Sequence, residues 1–299
     1  MQTHRIVLAA SLLVLAGRPA AASPFAFSDG NVNGAMAVAS RPSTTSQFEI
    51  EAGDDFIISS RTQINSASFV GLLPAGASAA SIANVRVEIY RVFPLDSNVA
   101  RTSGSPTFST PQVPTRINSP SDVALDERSA GAGTLSFTAA TLAGSFTAAN
   151  SIAPGGIHPI PGQTTGGNGP VSGQEVQFNV NFATPFDLPS DHYFFVPQVT
   201  LTNGNFYWLS SVRPIVAPGN PFAPDLQAWT RDNFLDPDWL RIGTDIVGGA
   251  PAPTFNLAFS LSGEAIPEPT ALALLSAGLL ALLTTRTASR IPSRSKPAD

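Results

Sequence analysis

Cysteine is absent from the 299-residue chain, so disulfides and thiolate metal sites are excluded. Its absence also removes the usual sign of an oxidising compartment, and any argument for export must rest on the chain ends. Charge is scarce, at 12% of residues. Basic charge is scarcest where the fold must lie. Six of the 16 basic residues sit near the termini: Arg5, Arg18, Arg286, Arg290, Arg294 and Lys296. Residues 23–269 keep 10 arginines against 20 carboxylates, a net charge of about −10. Such a body repels phosphate backbones, which argues against nucleic acid and for a cation or a neutral polymer. Helical periodicity is missing too, as are HExxH, Gly-x-Ser-x-Gly, P-loop and dinucleotide glycine patterns.

What is present begins at the ends. Arg5 is followed by Ile6–Gly17, 12 mostly apolar residues, then Arg18-Pro19 and Ala20-Ala21-Ala22. A short basic stretch, an apolar core and a small-x-small site define a secretory signal peptide. Signal peptidase is expected to cut after Ala22, between the Ala20/Ala22 pair and Ser23. At the other end, Pro267-Glu268-Pro269 precedes the uncharged run Thr270–Leu283, then Arg286, Arg290 and Arg294. The prolines end the preceding strand and hold Glu268 extended. As a helix the 14-residue run spans roughly 21 Å, short of a bilayer core of roughly 30 Å. Extended to Thr285 with Arg286 snorkelling, it crosses a thinned bilayer. The basic tail then lies in the cytoplasm, as the positive-inside rule requires.

Pro-Glu-Pro, a short apolar helix and a basic cluster, in that order at the C-terminus of a chain with a leader, resemble the PEP-CTERM sorting domain. The resemblance covers about Ile266 to Arg290; the arginines are more dispersed than the family pattern. It implies an exosortase that recognises the tripeptide, an inner-membrane intermediate, and a final place on the surface or in the matrix. Proteins of this family occur in Gram-negative bacteria that make exopolysaccharide.

Between the ends, apolar and polar residues alternate with period two: Val85, Val87 and Ile89; Val176, Phe178, Val180 and Phe182; Phe255, Leu257, Phe259 and Leu261. Each predicts a strand with one buried and one wet face. Further strands are expected over 47–51, 55–59, 67–72, 134–139, 193–201, 206–212 and 239–243. Asn203-Gly204 predicts a hairpin between two of these. About ten strands with Gly/Pro turns point to one all-β body, an antiparallel β-sandwich or jelly roll. The expected organisation is a signal peptide (1–22), a β-sandwich ectodomain (23–264) with long loops at 97–133 and 150–173, a sorting and anchor segment (265–290) with its transmembrane helix, and a basic tail (291–299).

Candidate chemistry is thin. His158 and His192 are the body's two histidines, and without HExxH spacing they read as ordinary loop and strand-edge residues. Asp54 and Asp55 are adjacent, so on a strand they face opposite ways and form no chelating pair by spacing alone. Asp232, Asp236 and Asp238 cluster in one loop suited to structural Ca²⁺, with Arg231 and Arg241 as competing partners. Trp229 and Trp239 flank that loop and are candidates for stacking on sugar rings; aromatics in β proteins more often pack inward. The chain therefore reads as a non-catalytic cell-surface or matrix protein associated with exopolysaccharide, needing no cofactor. A carbohydrate-binding module is the alternative, and a secreted hydrolase the third reading.

Overall fold

A computed structural model describes residues 22–102, 113–157, 164–215 and 225–267. The leader through residue 21, His158, Glu268-Pro269, the apolar run and the basic tail lie outside the described residues. Among the described residues no helix is long and apolar enough to cross a membrane.

The segment Ser23–Ile266 is one unit, mostly β and built from two antiparallel-rich sheets, neither closed into a barrel. In the first, β1 (Ser23–Ser28), β14 (Phe259–Ala265), β4 (Thr62–Pro74), β11 (Tyr207–Ser211), β2 (Val32–Ala39) and β8 (Asn150–Ile152) are successive neighbours. The other edge of β4 carries β9 (Val171–Leu188), which carries β7 (Leu135–Ala148). The second sheet runs β13 (Leu240–Arg241), β12 (Trp229–Asp232), β3 (Ile50–Ile58), β10 (Asp191–Leu201), β5 (Ile82–Arg91) and β6 (Asp126–Ser129). Only β2 and β8 pair in parallel among the described strands.

The inward faces of both sheets share one apolar core. Its seam is aromatic. Phe195 of the second sheet stacks on Phe259 of the first with centroids 5.0 Å apart, and Phe69 stacks on Phe178 at 4.8 Å. The alternation of β9 has its expected meaning: Val176, Phe178, Val180 and Phe182 are buried, while Gln177, Asn179 and Asn181 are not.

Several expectations need correcting. The separate strands at 47–51 and 55–59 are one strand, β3, continuous through Gly53 and both aspartates. The Asn203-Gly204 turn is no hairpin, because β10 and β11 belong to different sheets. The favoured turn dipeptide, with Gly204 at φ +81°, instead carries the chain across the sandwich. The stretch 97–133 contains β6, and 150–173 contains β8 and the start of β9. β1 and β2 went unread, since the Gly- and Ala-rich β2 carries little alternation.

The outer face of the second sheet is not wet. Irregular segments around 113–125, 225–228 and 233–239 cover it, and with the sheet's own Tyr90, Phe194, Val196 and Trp229 their Leu226 and Trp239 form a second apolar cluster. Glu51, Glu88 and Arg231 are buried beneath the cover, each at most 6% exposed. They survive there because they are partnered. Arg231 pairs with Glu51 and donates to the Tyr90 hydroxyl at 2.8 Å, and that hydroxyl donates to Glu51 at 2.8 Å.

Candidate functional site

The chemistry-bearing residues singled out in the sequence do not converge. Trp229 and Trp239 do come together, in the covered cluster, but they are 0% and 1% exposed and offer no free ring face. Trp239 stacks edge-on against Tyr90 at 5.3 Å, under the Arg231 guanidinium. Asp232 caps the main-chain N–H groups of Phe234 and Leu235. Asp236 pairs with Arg231 at 3.0 Å, and Asp238 pairs with Arg101 at 2.9 Å. The three carboxylates thus serve three different partners. Arg241 pairs with Asp245 rather than with this loop. Among the described residues, no three His, Asp or Glu side chains are placed to share a metal ion.

Of the sorting and cleavage residues, Ala22, Ser23 and Pro267 are described. Ser23 opens β1, opposite Ala265 of β14. The cleavage expected before Ser23 therefore leaves β1 whole.

The feature with the form of a binding surface is the outer face of the first sheet. Register aligns its outward residues into rows across five strands. One row is Ser28, Ser260, Ser68, Asn179 and Thr138, taken from β1, β14, β4, β9 and β7. The next is Ala26, Ser262, Ser66, Asn181 and Ser136. Every member is exposed or half-buried. The intervening residues, such as Leu261, Ala67 and Val180, point into the core. At a strand spacing of about 4.8 Å each row is about 19 Å long, and the rows lie about 7 Å apart. Neither row contains a charge. The groups partly hold one another: Ser260 donates to Ser28 at 2.8 Å, and Gln177 to Asn179 at 2.8 Å.

Alongside the first row lies a hollow of about 280 Å³, bordered by Ser28, Ser68, Val70, Leu142, Glu175 and Gln177. It combines hydroxyl and amide groups with apolar side chains, among them Val70 and the exposed Leu142. Burial raises the Glu175 carboxyl above its ordinary pKa. Sequence reasoning missed this surface. The Ser/Thr/Asn positions were visible one strand at a time, but only pairing register lines them up.

A second cluster is buried. Asp54 on β3 is fully buried, and its Oδ2 accepts the Leu257 N–H at 2.5 Å. Next to Leu257, Asn256 directs its amide nitrogen at both oxygens of Asp225, 3.3 and 3.4 Å away. Arg213 lies 3.5 Å from Asp225 and pairs with Asp29 at the end of β1. Asp55 faces the other side of β3 and meets His192 Nε2 at 2.6 Å.

No protein-family model, curated protein or solved structure matches the chain.

Proposed function

We propose that this is an exported, non-catalytic surface or matrix protein whose Ser/Thr/Asn sheet face lies against a neutral stretch of exopolysaccharide. The observation that carries the reading is that five-strand face, whose two in-register rows contain no charge and sit on a strongly acidic body. A neutral polysaccharide presents hydroxyls at comparable intervals and exchanges its hydrogen bonds to water for bonds to Ser, Thr and Asn. The hollow beside Leu142 and Val70 offers apolar contact for the C–H face of a sugar ring. The carbohydrate-binding reading is favoured over a purely structural one by that hollow.

In this proposal the sandwich is flanked by the leader, which signal peptidase removes before Ser23, and by the PEP-CTERM segment. Pro267-Glu268-Pro269 is read by an exosortase while the apolar run holds the protein at the inner membrane. Surface or matrix placement follows.

The test is retention of the protein on a panel of immobilised neutral and anionic polysaccharides. Binding to a neutral polymer should persist in roughly 1 M salt, where exposed charges are screened beyond about 3 Å. Asn179→Arg and Ser68→Arg should weaken retention about tenfold, the effect of about 1.4 kcal/mol, without lowering the melting temperature. Retention abolished by salt, or indifferent to both substitutions, would overturn the reading.

A further inference from the structure

The buried carboxylates behind the sheet edge lack enough positive charge. Asp29, Asp54, Asp55 and Asp225 are each at most 4% exposed. They face Arg213, which pairs with Asp29 and Asp225, and His192, which is held by Asp55. Among the described residues, four oxygens here have no hydrogen-bond partner: Asp29 Oδ2, Asp54 Oδ1, Asn256 Oδ1 and, on the other side of β3, Asp55 Oδ1. All four are acceptors, so what is missing is a donor or a cation, not an arbitrary polar neighbour. The Asn256 assignment is fixed by its surroundings. Its nitrogen faces the two Asp225 oxygens, so its oxygen must face the other way, unpartnered.

Direct contacts tie these groups together. Asp54 is bonded to Leu257, the neighbour of Asn256; Asn256 to Asp225; and Arg213 bridges Asp225 to Asp29. The carboxyl charge that acts most strongly on Asp54 is that of Asp29. A protein interior tolerates such a set only if something neutralises it.

We propose that Asp29, Asp54 and Asn256 bind one Ca²⁺ ion inside the sandwich. An all-oxygen donor set of carboxylates and an amide is the chemistry of a hard cation, not of zinc. From this chain the ion would take two carboxylates and the amide; among the described residues no three His, Asp or Glu side chains are placed to share an ion. Main-chain carbonyls and water complete the six to eight oxygens that Ca²⁺ requires. Asp225 and Arg213 are positioning residues: one orients the Asn256 amide, the other fixes Asp29. Calcium thus reaches the fold through residues remote from the Asp232–Asp238 loop, and independently of any glycan at the sheet face.

The experiment uses the full chain, stripped with chelator and held at pH 7.5. Two carboxylates give an affinity in the range of extracellular modules, about 10⁻⁴ to 10⁻³ M. Calcium at about 10 mM should then raise the melting temperature by at least about 3 °C. Mg²⁺, which resists dehydration, should give less than a third of that rise, and calorimetry should count one Ca²⁺ per chain. Asp29→Asn keeps the shape and the contact with Arg213 and should lose the calcium response, as should Asp54→Asn. Asp236→Asn should retain it. If the melting temperature of the wild type ignores Ca²⁺ and rises only as pH falls, protons alone fill the cluster and the proposal fails. It fails equally if Asp29→Asn responds like the wild type, or if Asp236→Asn abolishes the response.

Discussion

Glu88 shows how far burial moves a single proton. It lies on β5 under the covering segments, and desolvation, followed by the charge of Glu51, raises its pKa to about 9. Its surroundings are Glu49 and Glu51 before and on β3, Arg86 and Tyr90 on its own strand, and Arg231 on β12. The sign follows from linkage. The folded state keeps this proton up to about pH 9, whereas the unfolded chain releases it above the ordinary glutamate value of 4.5. Folding therefore binds a proton across that window. Its stabilising contribution is complete below pH 4.5 and is lost as pH rises toward 9. One proton gives a slope of at most about 1.4 kcal/mol per pH unit. Urea unfolding between pH 5 and 9 should show stability falling with pH, and Glu88→Gln, which cannot ionise, should flatten the fall. A slope identical in both proteins would show that the side chain stays ionised and partnered.

At the scale of elements, β4 is the strand on which the first sheet depends, since it pairs with β14, β11 and β9. Its Gly71 sits opposite Trp208 on one side and Val176 on the other. A Cβ placed there would lie 2.2 Å from the Phe206 ring and 2.5 Å from the Tyr207 carbonyl oxygen. The glycine is needed for close approach rather than for an unusual backbone angle. Gly71→Ala should destabilise the protein by about 3 kcal/mol, at the upper end of ordinary overpacking, visible as an earlier midpoint in denaturant. Gly144→Ala, with open space around its Cβ, is the matched control. The same strand also explains the sheet face. β4 fixes the register of β14 and β9 together, and so sets Ser66 and Ser68 in line with their neighbours.

For the whole molecule, the body's start and end are adjacent: Ser23 pairs with Ala265, and the Ile266 N–H donates to the Arg61 carbonyl. If the proposed leader and sorting segment are removed, both cuts fall at one edge and leave the sandwich whole. In the proposed export route, replacing Pro267-Glu268-Pro269 with three alanines leaves the apolar run intact. Insertion should continue while processing stops, and full-length protein should accumulate in the inner membrane of a host with the cognate exosortase. Fractionation and size on a gel read the result. Wild-type delivery at wild-type size would show the tail to be an ordinary short anchor.

How much was legible in advance differs from residue to residue. Period-two alternation in β5, β9 and β14 fixed the all-β class, because a pleated strand with one core face must repeat every two residues. Composition alone set the acidity of the body and excluded disulfides. Local pattern could not show that the wet side of β5 would be roofed over, since the roof comes from segments distant along the chain with no periodicity of their own. For the same reason local pattern left Trp229 and Trp239 as candidates for sugar stacking, although aromatics in β proteins more often pack inward. Asp54 and Asp55 were correctly seen to face opposite ways. What Asp54 meets, the Leu257 N–H beside Asn256, depends on chain folded back from more than 200 positions further on. Sequence determines which residues alternate and what charge they carry. Strand register and the closing of one layer over another decide which side chains become neighbours, because those contacts join residues far apart along the chain.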